Sequence, residues 1–297
     1  MIDKDLLYNS FKLGDELRVA SEFLDRGIKD LREYKRELHN HELFYVLYHF
    51  SVGIERLQKV LILLSYEDTK QLHEIKHHNH KMLQHKINQK TSLKFNKTEN
   101  DTINILSLFY KNYRYDTIED NEQLFGTIDL MQNHNYIKDG TFKKEKFIKS
   151  LIKIILRYLD KIKMYERKSN YYTTETEASS SLARFSFSED VSEVLKNYQY
   201  EDLAKIEILY YLINLKNNNS DFNNVSPIPL DEGMIKDYVD ELINLKSSYS
   251  FVKELGAELE SSFYKEEMCL KDDEITKRKE TLNNLSYLLY FDLNGDL

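Results

Sequence analysis

The stretch LFYVLYHFSVGIERLQKVLILL, residues 43–64, decides the fold of this 297-residue chain. Its apolar residues recur at alternating steps of four and three, which is the spacing of one face of an α-helix. They are Leu43, Leu47, Phe50, Ile54, Leu57, Leu61 and Leu64. Charged residues such as Glu55 and Lys59 interrupt the stretch, so it lacks the roughly 18 uninterrupted apolar residues of a membrane span. The pattern predicts the central helix of a bundle, with Asn40 as its N-cap.

The rest of the first half shows the same helical periodicity. Residues 3–36 predict one or two helices. Further helices are predicted to begin at Asn79, at about Thr102, and just after Thr141, which we expect to be an N-cap. These lengths predict a five-helix antiparallel bundle in residues 1–167.

Composition favours an all-α protein with two parts. Only eight glycines and two prolines occur, beside many Leu, Ile, Lys and Glu residues, which favours helices over a turn-rich β-sandwich. Residues 168–186, KSNYYTTETEASSSLARFS, have no period and are rich in Ser and Thr, so we predict a flexible linker there. Residues 187–297 predict a smaller, acidic C-terminal helical module of three or four helices, the last two at about 231–268 and 272–291.

The net charge of −8 is distributed unevenly along the chain. Residues 1–167 hold 29 Lys and Arg against 25 Asp and Glu, a balance of +4, whereas residues 168–297 hold 13 against 25, a balance of −12. The first half is suited to a polyanion, and the second half would repel one. A solvated helical surface explains each half equally well.

Several kinds of chemistry lack their sequence signals. The single cysteine, Cys269, excludes a disulfide or a thiolate metal cage within the chain. The motifs GxxxxGK[ST], GxGxxG and GxSxG do not occur. We therefore predict no cofactor and no metal site. The first residues include acids and no apolar run typical of a signal peptide, so we expect a cytoplasmic protein without membrane contact.

Four of the nine histidines cluster in KHHNHKMLQHKINQK, residues 76–90. His73 and His77 are spaced to share a helix face, but no HExxH pattern and no acidic third ligand accompany them, which argues against zinc. His80 falls in the first turn of a predicted helix. It is either bonded to neighbouring backbone or part of an acid–base pair with His85, and it is the histidine we would test.

Two motifs carry a resemblance to a known superfamily. The central helix contains a Gly-x-Glu-x-Leu-x-Lys pattern, and a histidine opens the next helix in a context close to GHxLxxL. The matching residues are Gly53, Glu55, Leu57 and Lys59, followed by Asn79, His80, Met82, Leu83 and Gln84. In these motifs, residues 15–165 resemble the HEPN (higher eukaryotes and prokaryotes nucleotide-binding) superfamily of helical domains.

The resemblance implies an RNA-related role. Many HEPN proteins are metal-independent endoribonucleases of bacterial toxin–antitoxin and antiphage systems, and their bundles pair as homodimers. Their site is an arginine, followed by a polar residue, and a histidine, with four to six residues between the arginine and the histidine. Arg114 stands where the family's arginine is expected, but residues 119–121 read Glu-Asp-Asn and include no histidine. Asn121 can form hydrogen bonds but cannot act as the acid.

The sequence leaves two interpretations of Arg114 open. In one, Arg114 pairs with an RNA phosphate while Tyr113 and Tyr115 stack on unpaired bases. In the other, Arg114 pairs with Asp116 or Asp120 and closes a helix end.

Two literal Arg–His spacings occur elsewhere in the sequence. They join Arg32 to His39 and Arg36 to His41. Both pairs precede the central helix, away from the expected position of the family's site. They remain an alternative motif, although a chain rich in Lys, Arg and His produces such spacings by chance.

Three functional hypotheses follow from the sequence. The first is a HEPN-like component of a bacterial defence or toxin–antitoxin module that binds RNA or a protein partner without the full ribonuclease motif. The second is an active metal-independent endoribonuclease that uses Arg114 with His80 or another histidine. The third is a structural helical adaptor subunit that docks a protein partner. For the first two, we expect a homodimer or a larger complex.

Overall fold

The structure is a computed structural model whose described part is all-α. Apart from helices and connecting segments, that part contains one small antiparallel sheet of two strands. The predicted fold class is therefore confirmed. The described residues are 4–34, 40–66, 75–113, 122–139, 141–169, 173, 182–199, 201–203, 256–257, 259–260, 264–265 and 268–286.

The chain divides into two compact units, residues 1–191 and residues 192–297. In the first unit, a π-helical turn, Phe109–Tyr113, directly follows the fourth helix. The helices are α1 (Lys4–Glu33), α2 (Asn40–Tyr66), α3 (His80–Lys90), α4 (Lys97–Leu108), α5 (Glu122–Asn133), α6 (Lys144–Ser169) and α7 (Ala183–Ser186).

Among its described residues, the first unit therefore has two helices beyond the five predicted. Helix α5 is missing from the prediction, although Leu124, Ile128 and Met131 repeat at steps of four and three; Met131 is buried. Helix α7 lies in the segment predicted as a linker, 168–186. Most of that segment is outside the described residues, but Thr173 and the residues Leu182–Phe185 are buried.

The second unit is described only in part. Its described helices include α8, residues 191–199, which begins at the boundary between the units, and α9, Asp272–Ser286, which begins where the sequence predicts. Glu260 accepts hydrogen bonds from Lys265, at 3.3 Å, and from Lys279 of α9. The rest of the predicted C-terminal module, including nearly all of its helix at 231–268, lies outside the described residues.

Helix α2 is the centre of the first unit. It contacts α1, α3, α4, α6 and the π-helical turn. All seven residues of its predicted stripe are at most 1% exposed, and residues off the stripe, such as Val46 and Ile62, are buried as well. A helix that is apolar on most sides must be covered on most sides, and the bundle does this. Among the described helices, none is long and apolar enough to cross a membrane.

Helices α1 and α2 pack antiparallel along their length. Arg56 in the second half of α2 donates to Glu16 in the first half of α1, while His49 in the first half of α2 lies 2.7 Å from Asp30 near the end of α1. The prediction of one or two helices in residues 3–36 is met by one long helix, α1.

Side-chain caps fix the starts of α3 and α4. Asn79 caps α3 as predicted, because its side chain accepts a hydrogen bond from Met82 N at 3.2 Å. Helix α4 begins at Lys97, five residues before the predicted Thr102. Asn96 and Glu99 form a reciprocal capping box there, a signal that the sequence displays as NKTE.

The predicted N-cap Thr141 is wrong. Thr141 belongs to strand β2 (Thr141–Phe142), which pairs antiparallel with β1 (Ile137–Lys138), and α6 begins only at Lys144. The turn between the strands uses Asp139 at a φ of 53°, in the left-handed region that tight hairpin turns require. The sequence DGTF therefore encodes a hairpin before the helix.

Gly53 tests how tightly α1 and α2 pack. A Cβ at this position would lie 2.6 Å from Leu24 Cγ, too close for any real contact. Exchanging an unhindered helical glycine for alanine normally stabilises a protein. We expect Gly53→Ala instead to lower the free energy of unfolding by about 1–3 kcal/mol, because α1 must move away. Urea denaturation followed by circular dichroism measures this change.

Gly256→Ala is the matched control for Gly53→Ala. Gly256 is helical, and a Cβ there meets no atom within 4 Å. We expect this variant to be as stable as the parent or slightly more stable. Equal effects of the two substitutions would contradict the close packing at Gly53.

Candidate functional site

A buried glutamine connects three helices at the centre of the first unit. The Gln58 side-chain amide on α2 donates to the backbone carbonyl of His80, at 3.1 Å, and to the hydroxyl of Tyr158 on α6, at 2.9 Å. Tyr158 in turn donates to Gln84 of α3, and Gln84 donates to Asn88 at 2.7 Å. Gln58 and Tyr158 have no exposed surface. These bonds fix the start of α3 against α2 and α6.

The same glutamine determines the tautomer of His80. Because the Gln58 nitrogen donates to two oxygens, its Oε1 is the atom that faces His80 Nδ1, at 2.9 Å. Nδ1 must therefore carry the proton, and Nε2 is left with a lone pair. Nε2 is buried and has no hydrogen-bond partner among the described residues. Burial lowers the pKa of His80 to about 4, so its ring is neutral at pH 7.

A carboxylate–histidine pair lies beside this network. Glu55 of α2 is 6% exposed and accepts hydrogen bonds from Lys59 and from Nδ1 of His78, the latter at 2.9 Å to Oε2. Burial alone would raise the pKa of Glu55, but the two hydrogen bonds and charges outweigh it and lower the pKa. Glu55 is therefore ionised at neutral pH and orients His78, whose side chain is 52% exposed.

The π-helical turn closes one side of the two histidines. Its Tyr110 lies edge-on to both rings, with centroid distances of 5.2 Å to His78 and 6.2 Å to His80. Lys111 and Asn112, which follow it, are exposed. Short π-helical segments inside or at the ends of α-helices are frequent at functional sites. The turn ends at Tyr113, so the chain enters Arg114 directly from this cluster.

We name the group of Glu55, Gln58, Lys59, His78, His80 and Tyr110 the histidine cluster. It includes two residues of the predicted Gly-x-Glu-x-Leu-x-Lys pattern and the predicted His80. His78 and Tyr110 are new members. No sequence signal separates His78 from its neighbours, because its pairing depends on Glu55, 23 positions earlier.

The predicted catalytic histidine, His80, has no exposed surface. This burial favours the structural interpretation of His80 over a role in proton transfer to a dissolved RNA. His77 precedes α3 and is not in a helix, and His73 lies outside the described residues. His85 is exposed on α3, at 3.0 Å from Gln89.

The other predicted RNA-binding residues lie at or beyond the edge of the described chain. Tyr113 is the last residue of the π-helical turn. Arg114, Tyr115 and Asn121 are outside the described residues.

The alternative Arg–His motif is divided between two helices and the segment that joins them. Arg32 lies in the last turn of α1, and His41 lies in the first turn of α2. Arg36 and His39 fall between these helices, outside the described residues.

Among the described residues, no group of three or more His, Cys, Asp or Glu side chains is placed to hold a metal ion. Comparison of the chain with protein-family models, with curated protein sequences and with solved structures finds no match.

The buried, neutral His80 makes stability depend on pH. An unfolded histidine has a pKa of about 6.5, whereas that of folded His80 is about 4. Between these values the unfolded chain binds a proton that the folded chain does not bind, so stability falls as pH falls from about 6.5 to 4. We expect a loss of at most about 3 kcal/mol from this residue.

The measurement compares urea denaturation of the parent and His80→Gln across this pH range. We expect a shallower pH dependence for His80→Gln, whatever its stability at neutral pH. His85→Gln, which removes an exposed histidine from the same helix, should keep the parent's pH dependence. Identical slopes for the parent and His80→Gln would show that His80 is protonated equally in both states.

Proposed function

We propose that the first unit is a HEPN-like helical domain that binds RNA. In this proposal the protein is the RNA- or partner-binding component of a bacterial defence or toxin–antitoxin module and lacks the full ribonuclease motif. One observation carries the proposal. The residues on which the resemblance depends, Glu55 and Lys59 in α2 and His80 at the start of α3, meet in the histidine cluster beside the turn that leads into Arg114.

The histidine cluster lies next to residues that suit RNA binding. It places a π-helical turn with exposed polar residues, Lys111 and Asn112, immediately before Arg114. Arginine pairs with a phosphate through two parallel hydrogen bonds, and tyrosines such as Tyr113 and Tyr115 stack on unpaired bases. The surplus of four positive charges in residues 1–167 favours an approaching polyanion.

Binding without cleavage fits the residues after Arg114. Positions 119–121 are Glu, Asp and Asn, so the segment has no histidine to move a proton. The carboxylates near Arg114 also compete with phosphate for its guanidinium group. This domain would then hold RNA, or a protein partner, as one subunit of a homodimer or larger complex.

Arg114→Ala tests the RNA-binding proposal. Filter binding of end-labelled RNA at low and high salt should show salt-dependent binding by the parent. We expect Arg114→Ala to lose roughly tenfold in affinity and to show a weaker salt dependence, because one phosphate contact is removed. Arg167→Ala removes an exposed arginine near the end of α6 and is the charge-matched control.

The controls decide between the hypotheses. Equal losses of RNA affinity in Arg114→Ala and Arg167→Ala would show that Arg114 contributes only to the overall positive charge and does not form a specific phosphate contact. Absence of RNA binding by the parent at low salt would favour the structural adaptor subunit that docks a protein partner.

The Glu55–His78 pair favours an alternative, an active metal-independent endoribonuclease. Glu55 holds Nδ1 of His78 at 2.9 Å, which leaves Nε2 as the nitrogen that takes up a proton. In this alternative, His78 accepts the proton of an RNA 2′-hydroxyl as its oxygen attacks the adjacent phosphorus. The bond from phosphorus to the 5′-oxygen breaks, water protonates that oxygen, and Arg114 neutralises the phosphate. His78 suits this role better than His80 because half of its side chain is exposed.

His78→Gln tests the alternative. Incubation with end-labelled RNA in excess EDTA should show cleavage by the parent, and we expect His78→Gln to lose about 100-fold or more of the rate, as expected for a general base. His85→Gln removes a nearby exposed histidine and should retain the rate. Cleavage that survives in His78→Gln, or that is absent from the parent, would exclude His78 as the base.

A further inference from the structure

A second candidate site lies where α4 and α6 begin, away from the histidine cluster. A cavity of ≈ 880 Å³ forms where the end of α1, the start of α4, strand β2 and the first turns of α6 meet. Small-molecule sites have volumes of about 300–1,000 Å³. We call it the lysine-lined cavity after five of its lining residues, Lys143, Lys144, Lys146, Lys149 and Lys153.

The charge of the lysine-lined cavity is strongly positive. Its lining includes five lysines and two glutamates, Glu99 and Glu145, which gives a local net charge of +3. The net charge of the whole chain is −8. One oxygen of Glu99, Oε2, is already engaged, because it accepts from Asn96 N at 2.8 Å and pairs with Arg157 at 3.3 Å, whereas Oε1 is buried without a hydrogen-bond partner among the described residues. Glu145 lies 3.9 Å from Lys149, and both side chains are largely exposed, so that pair is weak. Lys144 and Lys146 donate to backbone carbonyl oxygens, so Lys143, Lys149 and Lys153 are the lysines left to attract an anion.

The lysines are spread over a length that suits more than one phosphate group. Lys146, Lys149 and Lys153 follow one another along α6 at steps of three and four, so they share a face and span about 10 Å. Lys144 is held at the other side, where its ammonium group donates to the carbonyl oxygens of Arg32, at 2.6 Å, and Tyr34. A single phosphate cannot contact such an array at once.

Two further features point to an anionic ligand. Helices α4 and α6 both begin at the cavity, and helix N-termini attract phosphate. Tyr34 also lines the cavity, is 7% exposed, and carries a buried hydroxyl with no hydrogen-bond partner among the described residues. Burial raises the pKa of Tyr34 to about 12, so this hydroxyl remains a donor. Burying a hydrogen-bond donor without an acceptor costs folding free energy. A bound ligand that supplies the acceptor would explain why this hydroxyl is buried.

We propose that the lysine-lined cavity binds a small ligand that carries two or three linked phosphate groups. A nucleoside triphosphate and inorganic triphosphate share this chemistry. This site is separate from the histidine cluster, and the proposal does not depend on RNA binding by Arg114.

Isothermal titration calorimetry with ATP and with inorganic triphosphate tests the proposal. We expect the parent to bind one equivalent, and the variant with Lys143→Gln, Lys149→Gln and Lys153→Gln to lose about tenfold or more in affinity. The matched control carries Lys196→Gln, Lys271→Gln and Lys277→Gln, three exposed lysines outside the cavity. It removes the same charge and should bind as the parent does. Tighter binding of ATP than of triphosphate would identify a nucleotide as the ligand.

Tyr34→Phe is a second test that leaves the charge unchanged. We expect it to weaken binding severalfold, because it removes the unpaired donor. The proposal is overturned if the parent binds neither probe, or if the control lysine variant loses as much affinity as the cavity variant. Full retention of affinity in the cavity lysine variant would also overturn it.

Discussion

The side-chain amide of Gln58 is the interaction on which the first unit depends. It is buried in the central helix, and its three hydrogen bonds reach the backbone and ring of His80 and the hydroxyl of Tyr158. Each of these groups is buried, so loss of the amide would leave several polar atoms without partners, each at a cost of about 1–3 kcal/mol. This one residue holds the start of α3 against α2 and α6, and it decides which nitrogen of His80 carries the proton.

The cluster combines a neutral histidine with an ionised carboxylate. His80 is neutral because it has no exposed surface, and Glu55 is ionised because Lys59 and His78 donate to it. Neighbouring groups with different protonation behaviour are typical of sites that bind or transfer charge, although structural ion-pair networks produce them too. The exposed half of His78 is what distinguishes this pair from a purely structural one, since it gives the buried carboxylate a link to the surface.

Local sequence patterns predicted the fold well where the signal lies within a few neighbouring residues. The apolar stripe of α2 and the Asn79 cap of α3 agree with the structure, because periodicity and capping involve residues three or four positions apart. The same kind of signal was present at Asn96 and Glu99 and was missed. Thr141 was misassigned because its preference for caps does not separate a helix start from a turn, and the pairing of β1 with β2 decides between them.

The sequence by itself determined an all-α chain, a central helix in α2, a helix beginning after Asn79 and the presence of histidines near that start. It did not determine which histidine is buried and which is exposed. Only the tertiary structure assigned His80 to Gln58 and His78 to Glu55, residues 22 and 23 positions away, and only the packing of α1, α4 and α6 brought the lysine-lined cavity together. The physical reason is that helical periodicity is a local property, whereas burial and pairing depend on chain segments that meet only after folding.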